Sequence, residues 1–346
     1  MIDLAKLNAA PRLLLEAQLR PAQGDRFQPT GFADLGAAEY TRPGDEQGKR
    51  GTPMLLVESA QSVANRLEKT CLDGEGPDLD PALKGLAYVA ATLEAKADLD
   101  GPIRTSSLVE AHRLASPYFV KTEFGERLCK EMAYTGKGPL NWRKIYTALF
   151  KYDPNSLVHG VFLSLLGDGR VRVPRAVTGF IEAENVKQAV SGGVKNSPVD
   201  PAGQIQVEGS ETEKGVYSNV PYARVEYVAG QIKAYFNVDV ALIRGYGLPD
   251  AAGRLLTSLA MLKIRRFLNG QLRLRTACDL EQVGEVEVVR PEGFALPPEA
   301  DLLEEVQKLI VECKALFADP PVTELKVPVK VLKKNDGKSA QAGGPK

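Results

Sequence analysis

Apolar and polar positions alternate through residues 12–20 (RLLLEAQLR), the period of a half-buried strand. From Pro21 to Pro53 the alternation gives way to a polar, Gly- and Pro-rich stretch. That is too long for a plain connector, so it reads as functional or mobile. MLLV (54–57) then leads into ESAQSVANRLEK, where the period becomes helical. Ala60, Val63, Ala64 and Leu67 fall on one side of the wheel, and Gln61, Ser62, Asn65, Arg66 and Lys69 on the other. After the spacer DGEGPDLDP (73–81), residues 82–150 read as mainly helical, with Ser107 and Glu110 matching a capping box.

Beyond Asp153-Pro154 the pattern turns strand-like at 157–166 and 171–186, with a Gly-Asp-Gly turn between. Residues 187–220 are rich in Gly, Ser, Asn and Pro, like an inserted hairpin or flexible loop. Residues 222–243 again read as strand, and Arg254–Leu268 as an amphipathic helix closed by Asn269-Gly270. Strands at 271–278 and 284–290 and a helix after Pro297-Pro298 complete the pattern, and 336–346 reads as a disordered tail. Strand, helix, two strands, then strand, helix, strand is the order of a split βαβ, or RRM-like (ferredoxin-like), core. The predicted fold class is α+β: one domain over 1–335 with insertions at 21–53, 72–150 and 187–220. No internal repeat interrupts it.

Composition narrows the class. The 346 residues are 44% hydrophobic and 25% charged, an ordinary globular profile. No apolar run reaches the roughly 18 residues of a membrane span, and the first residues lack the layout of a signal peptide. Four scattered cysteines, never in C-x-x-C, fit free thiols in a reducing cytoplasm. Charges balance at 44 against 44, which excludes a uniformly basic nucleic-acid coat. They are nevertheless segregated: Arg254–Arg275 holds six basic residues and no acid, and Asp279–Glu305 holds nine acids and one base. Residues 326–346 return to six bases and one acid.

Catalytic chemistry is poorly represented. The two histidines, His112 and His159, have no Cys or carboxylate at metal-ligand spacing, and no phosphate-binding loop, zinc-protease or nucleophile-elbow motif occurs. Gly136-Lys137-Gly138 is a loop, Glu123, Glu126 and Glu131 read as a solvated helix face, and Trp142 as core. No catalytic residue, metal or cofactor is expected. Binding chemistry is richer. Arg20, Arg26, Phe27 and Gln28 put guanidinium donors beside a ring and an amide, a mixture suited to a single nucleic-acid strand. Ser59, Gln61, Ser62, Asn65 and Arg66 line the start and polar face of the first helix, where phosphates are readily held. In QLRLRT, Arg273 and Arg275 alternate with leucine, so a regular strand would hold them on one face about 7 Å apart, matching successive phosphates.

RLLLEAQLRPAQGDRFQPTGFADLGAAEYTRP (12–43) followed by MLLVESAQSVANRLE (54–68) resembles the backbone subunit of type I-G (earlier I-U) CRISPR Cascade, in the RAMP superfamily. The resemblance runs through about 10–290 and includes YFNVDVAL (235–242) and QLRLRTA (271–277). It implies a right-hand-shaped protein: an RRM-like palm, helical fingers from 72–150, and a thumb hairpin from 187–220. It further implies that copies polymerise head to tail along CRISPR RNA. Each thumb flips a guide base, and the segments between pair with a target DNA strand. The implied partners are the large subunit, subunits binding the RNA ends, and a separate helicase–nuclease that does the cutting; no membrane is involved. Arg20, Arg26, Gln28, Ser59, Gln61, Ser62, Asn65, Arg66, Arg273 and Arg275 carry over as RNA-binding positions. Lys195 and Asn196, with Lys187, are thumb candidates. The chain departs from the pattern at Ala64-Asn65-Arg66, where other backbone subunits often carry a Lys-Arg pair. Two alternatives stand beside this reading: a RAMP-type endoribonuclease using His112 or His159 on precursor RNA, and a stand-alone single-strand binder.

Overall fold

The computed structural model describes residues 5–44, 51–74, 76–95, 101–202 and 219–329. The expected disordered tail (336–346) and the stretch 203–218 of the expected thumb lie outside the described residues. The chain divides into two compact units. One comprises Met1–Thr70, Ala176–Gly245 and Thr257–Glu305; the other Cys71–Arg175, Tyr246–Leu256 and Val306–Lys346.

The first unit carries strands β1 (Leu13–Pro21), β2 (Glu39–Arg42) and β3 (Thr52–Glu58), helix α1 (Ala60–Lys69), and strands β4 (Val177–Glu184), β5 (Lys187–Lys195), β6 (Val220–Val228) and β7 (Gln231–Val238). Residues 257–270 of helix α2 (Asp250–Gly270) follow, then β8 (Arg273–Arg275), β9 (Cys278–Gln282) and β10 (Glu287–Arg290). An eight-stranded sheet runs β8-β9-β1-β7-β4-β3-β2, with β10 also paired to β1. Its pairs are antiparallel. The alternation in β1 and β7 splits the sheet into two faces. Leu13, Leu15, Ala17, Leu19, Phe236 and Val238 are buried, and the residues between them are partly exposed. Val63, Ala64 and Leu67 of α1 are buried while Ala60 is exposed, so the apolar stripe is one residue narrower than the wheel suggests. Phe236 and Phe267 meet edge-on at 6.0 Å, tying α2 to the buried face.

β5 and β6 form a separate two-stranded ribbon, from Lys187 opposite Val228 to Lys195 opposite Val220. Its base is held by Phe27, whose N–H and C=O pair with Tyr227 at 3.0 and 2.8 Å. One ribbon face is apolar and exposed: Val190 opposite Val225 and Val194 opposite Pro221, with the valines 73%, 48% and 54% accessible.

The second unit overturns several expectations. Residues 88–95 are a strand, not a helix, pairing in parallel with Val322–Val329 and antiparallel with Ile103–Ser106. YVAATLEA favours a helix locally, but pairing on both edges and burial of Tyr88–Ala91 override that preference. Ser107 and Glu110 form no capping box: Glu110 instead accepts from Thr105 Oγ1 at 2.5 Å and Ser116 Oγ at 2.9 Å across a turn. The strand expected over 157–166 begins as the helix Pro154–His159, because Asp153 caps Asn155 N–H at 3.1 Å and proline occupies its first turn. Trp142 is 39% accessible rather than core, lying over Tyr146 at 5.6 Å. Glu131 is not on a solvated face, since Lys151 (2.9 Å) and Tyr152 (2.6 Å) both donate to it.

Candidate nucleic-acid interface

β3 delivers Glu58, fully buried, to the foot of α1. Ser59 caps the helix, its Oγ accepting from Ser62 N–H at 3.3 Å. The Ser62 hydroxyl turns back to donate to Glu58. Arg66 Nε reaches the same carboxylate at 3.1 Å, and Arg275 Nη2 takes its second oxygen. Both guanidiniums also cap backbone: Arg66 Nη2 donates to Leu274 O at 2.5 Å, and Arg275 Nη1 to Gln28 O at 2.8 Å and Val57 O at 3.3 Å. Burial lowers both guanidinium pKa values below the ordinary value and pushes the neighbouring Cys278 thiol up to about 11. This knot joins β3, α1, the Gln28 loop and β8.

Three sequence expectations are corrected here. Arg273 and Arg275 do not project together: a register shift lies between them, leaving Arg273 exposed and turning Arg275 inward to Glu58. Arg66 is 22% exposed and occupied internally, and Ser62 is turned to the same acid. Phe27 is fully buried, so its ring is a core plug and not a stacking platform. The uninterrupted basic zone is also mostly structural. Lys263 is 1% accessible, Arg265 donates to Leu296 O and Pro297 O at 2.6 and 2.9 Å, and Arg266 to Thr70 O at 2.8 Å. The cations of this acid-free stretch are thus largely spent inside the fold, on backbone carbonyls and, for Arg266 and Arg275, on Glu299 and Glu58 as well.

The remaining candidates face outward. Arg20 and Arg26 have side chains 67% and 58% exposed; Arg20 pairs with the half-exposed Glu281 at 2.6 Å, and Arg26 stands 3.7 Å from the largely buried Glu226. Gln61 and Asn65 are exposed on α1 and bonded to each other at 2.9 Å. Gln28 is half-buried, its N–H donating to Ala277 O at 2.7 Å. Lys187, Lys195 and Asn196 are exposed along and beyond β5. Sequence reasoning missed the polar ribbon face. There Arg26 and Arg224 both stand 3.7 Å from Glu226, Ser191 Oγ donates to that carboxylate at 2.8 Å, and Arg224 lies 5.6 Å over the Tyr222 ring. The alternation of Tyr222, Arg224 and Glu226 was the available signal, masked because 222–243 reads as one strand. A cleft of about 780 Å³ opens between the Gln28–Ala37 loop and this ribbon, lined by Tyr222, Arg224 and Tyr227. At its floor the Tyr227 hydroxyl donates to Glu39, and its pKa is pushed up to about 12 by burial and that acid.

His159 is fully buried and His112 exposed. Among the described residues no three His, Cys, Asp or Glu side chains gather as a metal site, and no helix is long and apolar enough to cross a membrane.

Sheet, ribbon and cationic rim define a mixed α/β protein with exposed arginines along the end of β1 and the loop at the ribbon base. A family model described as CRISPR-associated protein GSU0053 matches residues 13–188, from β1 into β5 and just over half of the chain. The chain belongs to that CRISPR-associated family. It is similar, at 13% identity and TM-score 0.40, to a chain of a CRISPR RNA-guided surveillance complex, pre-nicking, covering 78% of this chain and 74% of that one. It is also similar to Thermofilum pendens Csc2, at 9% identity and TM-score 0.32, covering 91% and 80%. A chain of another CRISPR RNA-guided surveillance complex is 14% identical with TM-score 0.27, covering 88% of each. No curated protein matches.

Proposed function

We propose that this protein is the guide-RNA-binding backbone subunit of a type I-G Cascade complex, non-catalytic, polymerising along CRISPR RNA and presenting it to target DNA. The observation that carries the proposal is the family match, which spans β1, the following loop, α1 and β4 and ends just inside the first ribbon strand. Within the α+β framework, β9-β1-β7-β4 with α1 and α2 is read as an RRM-like palm. The β5–β6 ribbon is read as the thumb, with Lys187, Lys195 and Asn196 toward the guide. Arg20, Arg26 and Arg273 supply mobile cations for phosphates, while Ser59, Gln61 and Asn65 offer uncharged donors on α1. Arg66, Arg275, Ser62 and Gln28 act as the frame that fixes this rim. The cytoplasm is the proposed location, and the proposed partners are copies of this chain, the large and RNA-end subunits, and the helicase–nuclease.

The test is purification from cells expressing a CRISPR array, alone and with partner subunits. A large particle holding RNA of one discrete length supports the reading. With Arg20, Arg26 and Arg273 all replaced by alanine, assembly should fail while the fold persists. Each phosphate left without its arginine should lower the slope of log affinity against log salt by about 0.7 for a single strand. Assembly unchanged in the triple variant would overturn the site. Cleavage of precursor RNA by the pure protein, abolished by His112→Ala, would favour the endoribonuclease instead.

A further inference from the structure

The sheet face turned away from α1 and α2 carries Arg20 of the proposed RNA rim at the end of β1, but the rest of its composition has no part in that reading. Across it, directly opposed residues form the row Glu287–Glu16–Tyr235–Phe180, on β10, β1, β7 and β4. Tyr235 and Phe180 stack at 5.1 Å with 24° between planes. The next row places Gln18, Lys233 and Glu182 side by side.

Two acids opposed on neighbouring strands repel, and the fold supplies one lysine for the pair: Lys233 Nζ lies 2.8 Å from Glu16. Glu182 is met by the Tyr40 hydroxyl at 2.7 Å and Glu184 by Arg42 at 3.1 Å. Arg20, further along β1, is tied to Glu281. Among the described residues no Lys or Arg forms an ion pair with Glu182 or Glu287. The Asn237 side-chain oxygen on the same face is shielded from solvent and accepts no hydrogen bond among the described residues. The side chains are reachable, with Glu16 and Glu184 each 27% exposed. Even with the exposed Arg290, which stands opposite Leu14 beside this row, the face holds more acceptors than cations around a flat aromatic pair.

A guanidinium fits both halves of that chemistry. It is planar and stacks on rings, and its fork of N–H donors matches carboxylates. An ammonium would satisfy the acids but gain less from the rings, and a nucleic-acid strand would bring phosphates against Glu16, Glu287 and Glu182. We propose that this open sheet face is a docking surface for a protein partner, seating an arginine-bearing segment over Tyr235–Phe180 with its guanidinium on the Glu16–Glu287 pair. The inference does not depend on the RNA reading.

The test uses the full chain with three labelled probes: an arginine nonapeptide, a lysine nonapeptide and a single-stranded RNA oligonucleotide. Wild type should bind the arginine peptide several-fold more tightly than the lysine peptide. Tyr235→Ala should erase that preference. Glu16→Gln with Glu287→Gln should weaken both peptides about tenfold, and RNA affinity should stay unchanged in every variant. The paired Gln variant keeps side-chain volume and decides the matter if Tyr235→Ala does not fold. Peptide affinities unchanged by the Gln pair would overturn the proposal. So would a loss of RNA affinity in either variant, which would make the face a nucleic-acid interface.

Discussion

Replacing Glu58 with glutamine removes one negative charge and almost no volume. In the folded protein that carboxylate is 1% exposed, and two guanidiniums, themselves 22% and 24% exposed, converge on it. Removing one partner from a buried ion pair costs about 3–5 kcal/mol, because the remaining charge is left unpaired. Here glutamine retains one oxygen to accept a hydrogen bond, and the carbonyls of Leu274, Gln28 and Val57 still hold the arginines. The expected loss is therefore at the lower end, about 3 kcal/mol. For a unit of this size that corresponds to a fall in Tm of roughly 6–12 °C, measured by circular dichroism. Arg20→Gln is the control: its pair with Glu281 is largely exposed and worth under about 1 kcal/mol. A Glu58→Gln protein as stable as Arg20→Gln would refute the claim that this knot holds the rim together.

Three further outcomes are expected. Tyr227 has its folded pKa raised from 10.0 to about 12, so its contribution to stability is complete below pH 10 and is lost as pH rises toward 12. Tyr227→Phe should flatten the stability profile across that window in denaturant titrations. Gly125→Ala would drive a methyl group into the Val120 carbonyl and should destabilise the second unit by about 1–3 kcal/mol, read from urea midpoints. Alkylation of the native protein near neutral pH should spare Cys278 and Cys313, whose thiols burial holds near 11, and reach the half-buried Cys129 first, as peptide mapping would show.

β1 and α1 were legible because each satisfies its own period: Leu13, Leu15, Ala17 and Leu19 alternate, and Val63, Ala64 and Leu67 share a helical stripe. The insertion at 187–220 rested on composition alone, and nearly all of the second ribbon strand, Val220–Val228, fell in the stretch read as one strand over 222–243. The strand Tyr88–Ala95 was not, because its identity is conferred by Val322–Val329, more than two hundred residues away. The site divided in the same manner. Arg20 lies at the end of β1 and Arg26 in the loop that follows, and the exposure of both follows from local polarity. The inward turn of Arg275 depends on a register shift in a three-residue strand and on a buried acid from another strand. Nothing in the spacing of Arg273 and Arg275 encodes either. Glu58 stood directly before the helix cap, but an acid at that position reads equally well as ordinary charge beside a helix N-terminus.

The valine strip on the ribbon bears on how this protein fares when made in excess. Val190, Val194 and Val225 stand in water on a strand pair with little side-chain bulk to shield them, since Gly192 and Ala223 lie between. Every square ångström of such surface costs about 25 cal/mol until it is covered. Copies that find no place to put it will find one another. Overproduction of the chain by itself should thus be limited by aggregation at modest concentration, well before any limit set by thermal stability, and its cellular supply has to keep pace with whatever covers the strip.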